Sequence, residues 1–143
     1  MISTQTLLNT IVYIYTMPSK RYKDYRFYAF VVLNFISSTL DIHIFQKGLE
    51  EFINPILAGQ EGVSKSSIMY EINSNHNMTN KVLNYLLEEE LIKIETISGE
   101  YSIKITKKGI MYLREYSRFY ITLFKTEIAE LYKYRTSPSW VKE

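Results

Sequence analysis

Residues 79–109 read TNKVLNYLLEEELIKIETISGEYSIKITKKG, and the change of period along this stretch decides the fold. Val82, Leu83, Leu86 and Leu87 recur at helical spacing on one apolar stripe. They predict a helix from Asn80 to about Glu89, with Thr79 as its N-cap. Beyond it the pattern alternates, predicting strands over Leu91–Ile97 and Tyr101–Thr106 with the turn Ser98-Gly99-Glu100 between them. Thr106 opens a last helix that reads uninterrupted to about Arg135, roughly 30 residues or about 45 Å. Pro138 ends the pattern.

Upstream, Gly59-Gln60-Glu61-Gly62-Val63 reads as a turn and Ser64 as the cap of a short helix, Lys65 to Ile72. Asn73-Ser74-Asn75-His76-Asn77 is a polar turn of residues that bond their own backbone. Further back, Asp41 is a candidate cap for a helix through Phe45, Leu49 and Phe52, which Pro55 is expected to break or restart. Ser19 is a candidate cap for a helix over about Lys20 to Ser38, although the β-branched and aromatic residues of its second half leave a strand open there. Gln5 to Met17 carries Leu7, Leu8, Ile11, Val12 and Tyr15 at helical spacing.

Short helix, polar turn, second helix, hairpin, long helix is the order of a winged helix-turn-helix. The expected fold is therefore mainly α with a small β-hairpin wing, extra N-terminal helices and a long C-terminal dimerisation helix. Three segments follow: 1–47 helical, 48–106 winged helix-turn-helix, 107–143 long helix and tail.

Composition points away from catalysis. There is no Cys, the only His residues are His43 and His76, and the only Asp residues are Asp24 and Asp41. A catalytic triad, a metal site or an Asp dyad has almost nothing to be built from, so no enzyme activity, metal or cofactor is expected. The most apolar run, Phe27 to Ile36, is ten residues long and contains Asn34. A membrane span needs about 20 apolar residues. With no secretory signature at the N-terminus either, a cytoplasmic location is expected.

The net charge of +2 is unevenly spread. Residues 1–50 carry five basic and three acidic groups, 51–105 four and eight, and 106–143 eight and four. Positive ends flank an acidic middle.

Two runs carry a resemblance. Val82 to Ile92 resembles the recognition-helix signature of archaeal and bacterial winged-helix regulators, a Leu-rich helix ending in a charged pair and Gly-Leu-Ile. Tyr101 to Gly109 resembles their second wing strand, which ends Leu-Thr-x-Lys-Gly. Ser64 to Tyr70 is similar to the first helix of small archaeal coiled-coil winged-helix proteins, and the whole order is similar to the MarR and PadR repressors. The resemblance covers about residues 48–135 and implies a dimeric DNA-binding regulator. Two departures stand out: Glu90 replaces the Gly that normally closes the helix, and the wing carries Glu95 and Glu100 where Arg is usual.

A helix in the major groove reads bases from its exposed face near its N-terminus. Opposite Leu83 and Leu86 that face holds Lys81, Asn84, Tyr85 and Glu88, flanked by Asn80. Asn bonds adenine in a bidentate way and Lys reaches guanine or phosphate. Thr79, Ser66, Ser67 and Lys65 are suited to phosphate, as are Asn75, His76 and Asn77 in the turn and Lys104, Lys107 and Lys108 at the end of the wing. Arg114, Arg118 and the Lys20–Arg26 cluster are further phosphate candidates, against the plainer reading of solvated helix faces. On the last helix Ile110, Leu113, Tyr120, Ile121, Phe124, Ile128 and Leu131 form a stripe that predicts pairing with a second copy, or packing against the N-terminal helices.

The expected function is thus a homodimeric transcriptional regulator on double-stranded DNA, with no membrane role. Two rivals share the fold. One is a centromere-binding partition adaptor or replication accessory protein of a plasmid or virus. The other is a protein-interaction module, for which the acidic middle segment is the partner-binding candidate.

Overall fold

The computed structural model describes residues 25–142. The helix predicted over 5–17, and the start of the one predicted from Lys20, lie outside the described residues.

Helix α1 spans Tyr25–Ser38, so the apolar run is helical and not a strand. It is buried nearly all round: Phe27 to Leu33 and Ile36 are each at most 5% exposed. A helix without a solvated face needs partners on every side. Here α1 is the axis of the molecule, with the helix over His76–Glu88, the hairpin and the C-terminal helix packed about it. Asn34, the one amide in that run, donates to the Phe30 carbonyl at 3.0 Å and so enters the core satisfied.

The helix expected from Asp41 begins later, as α2, Leu49–Ala58. Gly48 ahead of it sits at φ +77°, a left-handed conformation that no right-handed helix includes. Pro55 does not break α2. It lies inside the helix on an exposed face, so the carbonyl that loses its N–H partner is on the solvent side.

Ser64 caps α3, Lys65–Glu71, its hydroxyl accepting from the Ser67 N–H at 3.1 Å. Asn73 at φ +48° then reverses the chain. The next helix, α4, is His76–Glu88, and its cap is Asn75, not Thr79: the Asn75 side chain accepts from the Met78 N–H at 2.8 Å. Thr79 is wholly buried and donates to the Asn75 carbonyl. The apolar stripe starts a turn earlier than its strongly hydrophobic members suggest, because Thr79 occupies a core position.

Glu90 solves the missing glycine by adopting the left-handed conformation itself, at φ +60°. The Glu90 N–H reaches the Leu87 carbonyl and the Leu91 N–H the Leu86 carbonyl, the paired bonds of a Schellman ending. A residue with a Cβ is strained there by roughly 1–2 kcal/mol, part of which glycine returns as chain entropy. Glu90→Gly is therefore expected to raise stability by about 0.5–1 kcal/mol, read as a higher Tm in thermal unfolding; an unchanged or lower Tm contradicts the strain.

Strands β1 (Ile92–Ile97) and β2 (Glu100–Ile105) pair antiparallel, Ile92 opposite Ile105 and Ile97 opposite Glu100. Ser98 and Gly99 both have positive φ, which matches the twist of a two-residue hairpin. Val63 bridges to Ile103 on the other edge of β2. Gln60 fixes that approach, its buried amide both donating to and accepting from the Ile105 backbone.

The last helix is not continuous. Thr106 caps α5, Lys107–Leu123, as expected, but the helix bends at Phe124 and resumes as α6, Lys125–Leu131. Phe124 at the bend contacts Phe27, and Trp140 beyond it rests against Phe30, with ring centroids 5.4 and 5.6 Å apart.

This packing gives the apolar stripe of the last helix a partner within the chain, the second of its two expected uses. Ile110, Leu113, Tyr120, Phe124 and Ile128 are at most 4% exposed within one chain, and Ile121 and Leu131 are half-buried against the same core. The stripe is covered by α1 and the C-terminal turn, so it is not a free pairing surface. Charges at Phe124 and Ile128 would unfold the protein instead of separating a dimer. The core also runs unbroken across residues 47 and 106, so the described parts of all three segments share it.

Candidate nucleic-acid interface

The start of α3 and the start of α4 meet. The Lys65 ammonium lies 3.0 Å from His76 Nδ1, which ties the two helix N-termini together. Because α4 begins at His76, His76 and Asn77 belong to its first turn and not to the preceding loop. With Asn80, Lys81 and Asn84 they make a polar stripe along the N-terminal two-thirds of the helix. Asn77, Lys81 and Asn84 are exposed, while Val82, Leu83 and Leu86 on the other side are buried. These exposed polar side chains therefore stand on a rigid element held from behind.

Ser66, next to Lys65, is exposed, its hydroxyl 3.2 Å from that of Ser64. Ser67 is half-buried and its hydroxyl donates to the Ser64 carbonyl, so it serves its own helix. Asn75 remains exposed with its side-chain oxygen committed to capping. Tyr85 is turned partly inward, its ring edge-on to Tyr25 at 5.3 Å. Burial, then Glu89, pushes its hydroxyl up to about 12, so it stays a neutral donor.

Several expected contacts are not gathered here. Thr79 is buried, as shown above, and cannot touch phosphate. Lys104 is only 8% exposed: the bridged segment at Gly62 and Val63 lies against it, and its ammonium is held 2.7 Å from Glu95. Lys107 and Lys108 are exposed, but Thr106 bonds the Glu90 carbonyl, so they sit at the far end of α4 from His76. Arg114 pairs with Glu50 at 3.7 Å, and Arg118 lies over the Phe45 ring. Lys20, Arg21 and Lys23 lie outside the described residues.

Two acids of the middle segment are paired within the fold. Glu95 is bonded by Lys104 and Lys93, which hold its carboxyl below the usual range. Glu71 accepts from Tyr132 and faces Arg135. Glu88, Glu89 and Glu90 are exposed at the C-terminal end of α4, away from its first turns. Among the described residues no cluster of His, Asp or Glu is arranged to hold a metal ion, and no helix is long and apolar enough to cross a membrane.

Sequence reasoning missed one neighbour of this surface. The Lys81 ammonium lies 5.5 Å from the centre of the Tyr25 ring, across 56 positions of chain. No local pattern announces such a contact; the basic residues around Tyr25 were its only signal.

Two buried-backed helices with their N-termini together, followed by a hairpin wing, define a class of DNA-binding regulators. A protein-family model described as winged helix-turn-helix matches residues 49–123, and the chain belongs to that family. Comparison with curated proteins and with solved structures gave no match.

Proposed function

We propose that this protein is a non-enzymatic, sequence-specific double-stranded DNA-binding protein that lays α4 in the major groove with its N-terminal half toward the bases. The observation that carries this reading is the exposed stripe Asn77, Lys81 and Asn84, flanked by His76 and Asn80, on a helix whose opposite face is in the core. Lys65 and Ser66 at the start of α3 are suited to the adjacent phosphates. Lys107 and Lys108, at the other end of α4, fit phosphates further along the duplex.

The finer reading is a cytoplasmic transcriptional regulator acting as a homodimer. One helix with five polar side chains reads few base pairs, and two copies on a two-fold site multiply affinity and selectivity. With the α5–α6 stripe covered, that pairing has to use another surface.

Fluorescence anisotropy with duplexes from upstream of its own gene, at several salt concentrations, tests the reading. Binding that weakens steeply with salt yet survives competitor DNA supports it. A footprint on single palindromes fits a regulator, and one on arrays fits a partition or replication role. No binding at low salt rejects DNA as the partner and leaves a protein-interaction module.

A further inference from the structure

Helix α5 carries a serine into the core. Ser117 is only 2% exposed, and its hydroxyl has no hydrogen-bond partner among the described residues. A buried hydroxyl left unpaired is destabilising, and native interiors hold few of them. This one lines a cavity of about 100 Å³, walled by the end of α1, the loop after it, α5 and the C-terminal turn. Ser38, His43 and Ser139 line it too and are exposed, so its mouth opens to solvent on their side.

Volume and lining together select a ligand. One water takes about 30 Å³ of liquid, and drug-sized ligands need roughly 300–1,000 Å³. The cavity lies between the two and matches a single small ring. Ile42, Ile44, Ile121 and Trp140 give it apolar walls. Among the described residues that line it none is Lys, Arg, Asp or Glu, so a charged ligand would lose its hydration without gaining a counter-ion. Asn34 is the second buried polar group on the wall. Its amide nitrogen is committed to the Phe30 carbonyl at 3.0 Å, which leaves the side-chain oxygen to accept. A serine hydroxyl that donates and an amide oxygen that accepts are together matched by a hydroxyl, which does both.

We propose that this cavity binds a compact neutral alcohol, its apolar body against Ile121 and Trp140 and its hydroxyl bonded by Ser117 and Asn34. Only the α5 wall lies within residues 49–123, which match the winged helix-turn-helix family, and the site does not depend on the DNA reading of α4. The plainer occupant is water.

Trp140 is the only tryptophan in the chain, so its emission reads the cavity directly. The probe is cyclopentanol titrated into the full chain, with cyclopentylammonium as the charged control on the same skeleton. Cyclopentanol is expected to shift the emission to a plateau and to raise the Tm as its concentration rises, while cyclopentylammonium at the same concentrations does neither. Ser117→Ala is expected to raise the Tm of the free protein, because it removes the unpaired hydroxyl, and to weaken cyclopentanol by about 2–10-fold. A serine with a purely structural role would lower the Tm when removed. Emission that changes without a plateau assigns the cavity to water and overturns the proposal. So does an equal response to cyclopentylammonium, a Tm that falls in Ser117→Ala, or wild-type affinity for cyclopentanol in that variant.

Discussion

Gly109→Ala is expected to cost about 3 kcal/mol or more and to lower the Tm by about 10 °C. A Cβ built at Gly109 meets the Leu91 carbonyl oxygen at 2.3 Å and Ile105 Cγ1 at 2.7 Å. Neither neighbour can yield. Leu91 O accepts the Thr106 N–H at 3.1 Å, and Ile105 is wholly buried and bonded through its backbone to Gln60. The same glycine gives its N–H to the Thr106 cap at 3.0 Å. Forcing the first turn of α5 outward would thus strain the cap, the end of the wing and the closure of α4 together. Lys108→Ala, at the exposed neighbouring position, is the control and should stay within about 0.5 kcal/mol of wild type. A Gly109→Ala protein with the wild-type Tm would mean that α5 does not approach Leu91 so closely.

The second large effect is on binding. Replacing Lys81 and Asn84 together with alanine is expected to weaken the preferred duplex by about 100-fold or more, at about 1–3 kcal/mol for each good base contact. Both side chains are exposed, and alanine favours the helix, so circular dichroism and Tm should not fall. Binding to unrelated duplex should fall far less, because Asn84 carries no charge. A double variant that binds its preferred site like wild type removes α4 from the role of reader.

How far the sequence could be read follows from where the information lies. The hairpin, the Ser64 and Thr106 caps and the core of α4 are written in local period and capping chemistry, and each was legible to within a residue or two. The sequence starts α4 too late, because Thr79 is a residue type that caps well and the turn residues before it read as loop. Only packing shows that Thr79 is needed inside. The break at Phe124 has no glycine or proline to announce it; what accompanies it is the packing of Phe124 on Phe27 of α1, a contact across the chain. Likewise, the stripe Ile110 to Leu131 was legible as apolar, but its partner was not. Nothing in a heptad says whether the covering helix belongs to the same chain or to another. Of the candidate site, Lys65, His76, Asn77, Asn80, Lys81 and Asn84 are brought together. Lys104 and Thr79 were lost to long-range neighbours that the local pattern does not contain.

The absence of cysteine from the sequence allows the central claim to be tested at a single position. Asn84→Cys, carrying a tethered iron chelate that cuts nearby DNA, should cleave within the bound site. Cleavage should cluster at one locus, or at two related by symmetry if the protein binds as a dimer. The same reagent on Thr126→Cys, exposed on α6, should leave the bound site uncut. Strong cleavage from position 126 with none from 84, in a protein that still binds, would contradict the claim that α4 is the element in the groove.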